Sequence, residues 1–460
     1  MVDLLLKNGN VVFPDEIVRT NIGVKDGKIV SLSDAEEPAA VTRDVEGLYI
    51  LPGCIDTHCH FRDPGATQKE DFAYGTRAAA VGGVTTVFDM PNTNPAVIDA
   101  ESLRSKQKYL QPKAYVDYAL WGLSLGPINI DALAGMGKAG ACAIKFFWGY
   151  ALDAKTHALI YNYDPADKNV IPPFDDGAIY ELFEKIAETG QTIAIHAENS
   201  ELIRVLTQRN QAHASEGYSA LLASRPALAE ELTIQTAISF VRATGARLHV
   251  LHVSSAAGVE LIRRAKAEGL PVTAETAPHY LFLSADDYDR IGPMIKVYPV
   301  VKEEKDRQAL WRGLEDGTLD FVASDHAPHT LEEKRGGLFE SPSGMCGVES
   351  MLPLLLGEVS KGHLTLPFVS RVLSANPARI YHVPNKGGIK EGNDADLVIC
   401  DMNRRHPILN SELHSKQPLT AFDGMEIQGW PIATYLRGQL IAEKQQICVA
   451  EPGGQWLSLG

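Results

Sequence analysis

The chain has 460 residues, 45% hydrophobic and 22% charged, which is enough apolar material for one large domain with an accessory module. Its 58 acidic and 43 basic side chains leave a formal charge of −15 with no Lys/Arg block, which argues against nucleic acid and anionic membranes as partners. The opening MVDLLLKNGNVVFPDE carries too short an apolar run for a secretion signal, and nothing approaches the roughly 18 apolar residues of a membrane span, so a cytoplasmic location is expected.

In chain order, the first fifty residues read as short β-runs (LLLKNGNVVF, NIGVKDGKIVSL, GLYILPG) broken by Asn-Gly and Asp-Gly turn signals. From Cys54 short apolar runs alternate with helix-length amphipathic segments. The strand candidates are CIDTHCHF, TTVFDM, VDYALWGLSL, ACAIKFF, TIAIHAE, RLHVLHVSS, PVTAETAP and DFVASDHAP, with helical segments such as DFAYGTRAAAVGG and SAAGVELIRRAKAEG between them. Eight βα repeats predict an α/β fold of the TIM (β/α)8 barrel type over 52–386, an open doubly wound sheet being the alternative. Beyond Gly387 the β texture returns (DADLVICD, IATYLRGQLIAE). Residues 1–51 and 387–460 are therefore expected to pair into a small discontinuous β-sandwich. The segment 152–177 is far longer than an ordinary βα loop, as expected of a binding loop, a surface insertion or a subunit contact. Six cysteines (Cys54, Cys59, Cys142, Cys346, Cys400, Cys448) lack CxxC spacing and read as buried free thiols.

In DTHCHFR, alternation along a strand puts His58 and His60 on one face and Cys59 on the other. Later strands end in Lys145, His196, His252 and Asp325, and in a barrel all these ends meet at one mouth. Each has a plain structural reading as well: core histidines for His196 and His252, an ion-pair partner for Lys145, a helix N-cap for Asp325. Taken together, four imidazoles and one carboxylate suit zinc. A protonated lysine beside divalent ions would be repelled, whereas Lys145 carrying carbon dioxide as a carbamate would be an oxygen donor to two metals.

LPGCIDTHCHFRDPG, the strand ends at Lys145, His196 and His252, and SDHAPH resemble the amidohydrolase superfamily, and within it the cyclic amidohydrolases: dihydroorotases, allantoinases and hydantoinases. The resemblance implies a TIM barrel holding two zinc ions, His58, His60 and Asp325 on one, His196 and His252 on the other, with N6-carboxylated Lys145 bridging. It implies Asp325 as the catalytic acid-base and a small cyclic amide or ureido acid as substrate. Arg62, Asn94 in DMPNTNP and His329 correspond to substrate-carboxylate contacts, which puts dihydroorotase, interconverting carbamoyl aspartate and dihydroorotate in pyrimidine biosynthesis, first. Allantoinase or a hydantoinase/dihydropyrimidinase-type ring opener is the alternative. IKFFWGYA and the tail SKQPLTAFDGMEIQGWPIATYLRG look more like allantoinases and hydantoinases, while Tyr298 in KVYPVV and the long insertion depart from the dihydroorotase pattern. A homodimer or homotetramer is expected, and an inactive metal-free scaffold is the non-enzymatic reading.

Overall fold

Eight parallel strands close into a barrel in the computed structural model, which describes residues 1–35, 37–160, 163, 164 and 166–460, the side chain of residue 216 excepted. Cys54–Cys59 pairs with Val84–Asp89, and that strand with Asp117–Leu120. The third run breaks at Trp121, whose indole donates to Thr57 O, and resumes at Gly122–Leu123 beside Ile144–Trp148. Thr192–Ala197, Arg247–Val250, Val272–Thr276 and Phe321–Val322 follow in order. The ring closes where Cys59 bridges to His326 and His60 N–H donates to His326 O at 2.7 Å. These are the eight runs expected from the sequence. Strands buried on both faces read as nearly continuous apolar stretches, and Ile144–Trp148 is buried throughout.

The two helices singled out above run over Phe72–Val81 and Ala256–Ala267. Asp71 caps the first by accepting from the Ala73 and Tyr74 N–H groups, and Ser255 caps the second by accepting from Gly258 N–H, satisfying donors that the helix itself leaves unpaired.

The N-terminal strand Val2–Val12 pairs with Ile17–Lys25, Ala39–Asp44 and Tyr49–Pro52. Tyr49–Pro52 in turn pairs with Leu397–Pro407 from the other end of the chain, Ile50 opposite Ile399. Glu426–Leu436 and Gln439–Glu443 continue the same sheet, which folds over a core that includes Leu6, Val11, Ile22, Ile50, Leu397 and Ile399. Asp26-Gly27 is the hairpin turn its sequence suggests, with φ of 50° and 76°. Asn8-Gly9 is not a turn. It is a bulge inside the first strand, with Asn8 at φ 64° and the register shifting between Leu6 and Gly9. A Cβ on Gly9 would fall 2.5 Å from Ile50 Cδ1, so close packing of the sheet decides that residue.

The last residues leave this sheet and return to the barrel. Gly454 N–H donates to Ala114 O, Tyr118 N–H to Gln455 O and Leu457 N–H to Tyr118 O. Where tail, accessory sheet and barrel meet, the buried Lys386 ammonium contacts Asp117 at 2.7 Å, Asp394 at 3.5 Å and Asp396, while Arg437 also reaches Asp117. Lys386→Met leaves these buried carboxylates short of their cation, and a loss of about 3–5 kcal/mol in urea-unfolding free energy is expected.

The segment 152–177 is not structureless. Ala151–Asp153 pairs with both Leu159–Ile160 and Val170–Ile171, while residues 161, 162 and 165 of that segment lie outside the described residues. All six cysteines are free; Cys448 is exposed and Cys142 only partly covered, so the expectation of buried thiols holds for the other four. Among the described residues no helix is long and apolar enough to cross a membrane.

Candidate metal centre and active site

The C-terminal strand ends bring the six expected metal-site residues to one pocket, which Arg62, Phe147, Tyr150 and Tyr298 also line. His58 Nε2 lies 3.3 Å and His60 Nε2 3.6 Å from Asp325 Oδ1, and one ligand atom from each of the three falls within 4.8 Å of the others. His196 Nδ1 faces His252 Nε2 at 3.0 Å, and the His252 ring centroid is 5.3 Å from that of His58. Lys145 Nζ is fully buried, makes no hydrogen bond and sits 4.5 Å over the Phe147 ring.

Protonation states follow from burial. Burial first, then neighbouring Arg62 and His58, hold His60 well below the ordinary histidine range; burial with His196 and Lys145 does the same to His252. Burial brings His196 down to about 4, against the pull of Glu198. It brings the Lys145 amine down to about 7, although Asp325 and Glu275 favour the charged form. Asp325 is pushed above the usual carboxylate range by burial, with His58 and Lys145 opposing. Neutral imidazoles and a neutral amine are the forms that offer lone pairs to metals or to carbon dioxide.

Partners behind the cluster orient three of its four imidazoles. His58 Nδ1 meets the buried Glu275 carboxylate at 2.5 Å, which also accepts from Thr57 Oγ1 and His249 Nε2, each at 3.3 Å. Burial works to raise Glu275, but His58 and His249 outweigh it and hold the carboxyl at about 2. His60 Nδ1 meets Asn92 Oδ1 at 3.0 Å; His196 Nε2 meets Glu198 at 3.0 Å and Tyr150 Oη at 3.2 Å. Arg225 Nη1 donates to Glu198 at 2.6 Å and stacks on Tyr298, its guanidinium carbon 3.5 Å from the ring centroid.

Pointing one nitrogen of His58, His60 and His196 at an acceptor leaves the other for the centre, and His58 Nε2, His252 Nδ1 and Lys145 Nζ lack hydrogen-bond partners. Orphaned buried polar atoms are costly, and divalent ions among these donors would satisfy them, so the residues fit the expected metals. Glu275→Gln keeps the shape but loses the charge behind His58. It is expected to weaken metal affinity about 10–100-fold, measured by titration with a competing chelator.

The three expected substrate contacts are not gathered around one point. Arg62, at φ 61°, lines the metal pocket and also a neighbouring cavity of about 300 Å³ containing Lys69, Asn92, Asn94 and His157. Asn94 stands in that second cavity, its N–H donating to Pro64 O; the asparagine that reaches the histidine cluster is Asn92, two residues earlier. His329 lies behind the pocket wall. Lys69 Nζ donates to its Nδ1 at 3.2 Å, which leaves Nε2–H to donate to Ser343 O at 2.9 Å, with Arg62 Nη2 a 3.3 Å neighbour of the same nitrogen. Asn92, Tyr150, Glu198, Arg225 and Glu275 were not anticipated. The available signals were inward parity for Glu275 on PVTAETAP and, for Glu198, its place two residues beyond His196.

The amidohydrolase family profile matches residues 49–441, and the chain belongs to that family. Its likeness is to cyclic amidohydrolases over the full length. It is 34% identical to the L-hydantoinase of Paenarthrobacter aurescens, covering 100% of this chain and 98% of that one. The allantoinases of Rubrobacter xylanophilus and Deinococcus radiodurans are 36% and 34% identical, each covering 99% of this chain and 97% and 98% of their own. Among solved structures, the L-hydantoinase (dihydropyrimidinase) from Arthrobacter aurescens superposes with a TM-score of 0.92 at 34% identity, covering 100% of both chains. A D-hydantoinase follows at 0.88 and 28% identity, covering 100% of this chain and 99% of that one.

Proposed function

We propose that this protein is a two-zinc hydrolase of hydantoin-type rings, the ring that hydantoin and allantoin share, adding water across a ring C–N bond to give an N-carbamoyl (ureido) acid. Full-length likeness to an L-hydantoinase and to allantoinases carries this reading. It favours the second of the two activities read from the sequence over dihydroorotase. Asn94 and His329 standing outside the lining of the metal pocket support the same choice.

His58, His60 and Asp325 would hold one ion, His196 and His252 the other, and carboxylated Lys145 both. When bound, the ions supply Lewis acidity toward a ring carbonyl and lower the pKa of water. Asp325, beside His58 and His60 at the mouth, takes the proton from the attacking water and returns it to the leaving ring nitrogen. The aromatic walls Phe147, Tyr150 and Tyr298 restrict bulk water around that transfer.

The test is an assay of the zinc-loaded protein on allantoin, hydantoin, 5-substituted hydantoins, dihydrouracil and dihydroorotate, with ureido product measured. Hydantoin-ring turnover is expected to exceed that of dihydroorotate at least about 100-fold in kcat/KM, the scale on which one site separates related substrates. Turnover confined to dihydroorotate would restore the first reading. Fewer than one zinc per chain, unrestored by zinc and bicarbonate, would favour the scaffold.

A further inference from the structure

The segment 335–344, RGGLFESPSG, crosses beside the active site, with Ser343 and Gly344 lining the metal pocket. Phe339 lines a further cavity, of about 410 Å³, that shares Tyr150 with that pocket. Two buried lysines grip this strap. Lys296 Nζ donates to Leu338 O at 2.6 Å, to Phe339 O at 3.0 Å and to Ser341 O. Three carbonyls use all three N–H bonds of the ammonium. The Lys296 carbonyl accepts from Gly344 N–H at 2.9 Å, so one residue holds both the middle of the strap and its end. Lys334 Nζ donates to Pro342 O at 2.9 Å and to Lys296 O at 3.4 Å. Among the described residues no carboxylate lies within 4 Å of either ammonium, so the strap carbonyls are their principal ligands.

We propose that Lys296 and Lys334 are positioning residues for substrate binding: their ammonium groups pull the 335–344 backbone into the one conformation that places Ser343 and Gly344 against the ring. The strap's other anchors include a local turn, in which the Glu340 and Ser341 N–H groups donate to Gly337 O, and Phe339 at the edge of the core. Gly336 and Gly337 have no side chain to pack, and of the strap's side chains only Leu338 and Ser341 are buried. Ser343 O accepts from His329, which lies beside Arg62, so a displaced strap also disturbs the far wall of the pocket. Burial draws both amines down, Lys296 to about 8 with Arg225 adding and Glu340 opposing, and Lys334 to about 7 with Lys296 adding. The geometry at Gly344 is equally restrictive: φ is 130°, and a Cβ there would fall 2.4 Å from Ala327 O.

The inference uses the pocket proposed above but not the identity of the ring, because strap order is read without substrate. Lys296→Met and Lys334→Met are compared with wild type by hydrogen–deuterium exchange, zinc content, melting temperature and steady-state kinetics on whichever ring the wild type opens fastest. Lys296→Met is expected to raise deuterium uptake in peptides spanning 335–344 with the barrel strands unchanged, to leave zinc unchanged, and to raise KM about 10-fold or more while kcat stays within about threefold. Lys334→Met, which frees one strap carbonyl, shows the same pattern with a smaller KM change and keeps the test decisive should Lys296→Met fail to fold. A lowered melting temperature with unchanged strap exchange and unchanged KM would overturn the proposal. So would a loss confined to kcat.

Discussion

Lys145→Met is expected to lower kcat/KM by about 10³-fold or more and to leave the protein with at most one tightly held metal per chain, because the bridging donor supports several kcal/mol of charge stabilisation. The side chain is well suited to become that donor. It is buried, makes no hydrogen bond and has an amine drawn down to about 7 by burial. The sign with pH follows. At pH 8 the amine is mostly neutral and nucleophilic toward carbon dioxide; at pH 6 it is mostly protonated and is not. Metal-stripped wild type given zinc and bicarbonate should therefore regain activity faster at pH 8 than at pH 6. Recovery indifferent to both bicarbonate and pH would rule out the carbamate.

Asp325→Asn should reduce kcat by about 10²–10⁴-fold, the usual worth of a positioned acid-base group. Asparagine keeps an oxygen beside His58 and His60 but cannot carry the proton to the leaving nitrogen. Zinc stoichiometry read on the same sample separates the two possible roles: retained metal with lost turnover assigns the proton shuttle, whereas turnover falling in step with zinc reduces Asp325 to a ligand. The backbone at this position is also under strain. Asp325, His252 and Arg62 sit at φ of 47°, 38° and 61°, a region disfavoured for residues with a side chain, and all three line the metal pocket.

Much of the pocket's make-up is legible in the sequence. His58 and His60 share a face because strands alternate, and Lys145, His196, His252 and Asp325 stand at strand ends that a closed parallel barrel must bring together. Both rules are local or topological, so a one-dimensional string carries them. The eight apolar runs were legible for the same reason.

What the string could not carry is what distant segments do to one another. Glu275 orients His58 across 217 residues of chain, and Lys386 meets Asp117 through a convergence of accessory sheet, tail and barrel. Asn92 rather than Asn94 meets His60, and Asn8-Gly9 bulges rather than turns, because side-chain reach and strand register are settled only in the packed molecule. The sequence by itself determined the barrel and the cluster of candidate metal ligands at its mouth, through periodicity and strand ends. Tertiary structure alone decided which nitrogens of His58, His60 and His196 meet an acceptor, how the ammonium groups of Lys296 and Lys334 reach the strap carbonyls, and which polar residues line the pocket. Those depend on hydrogen bonds and charges closing across segments that the sequence keeps far apart.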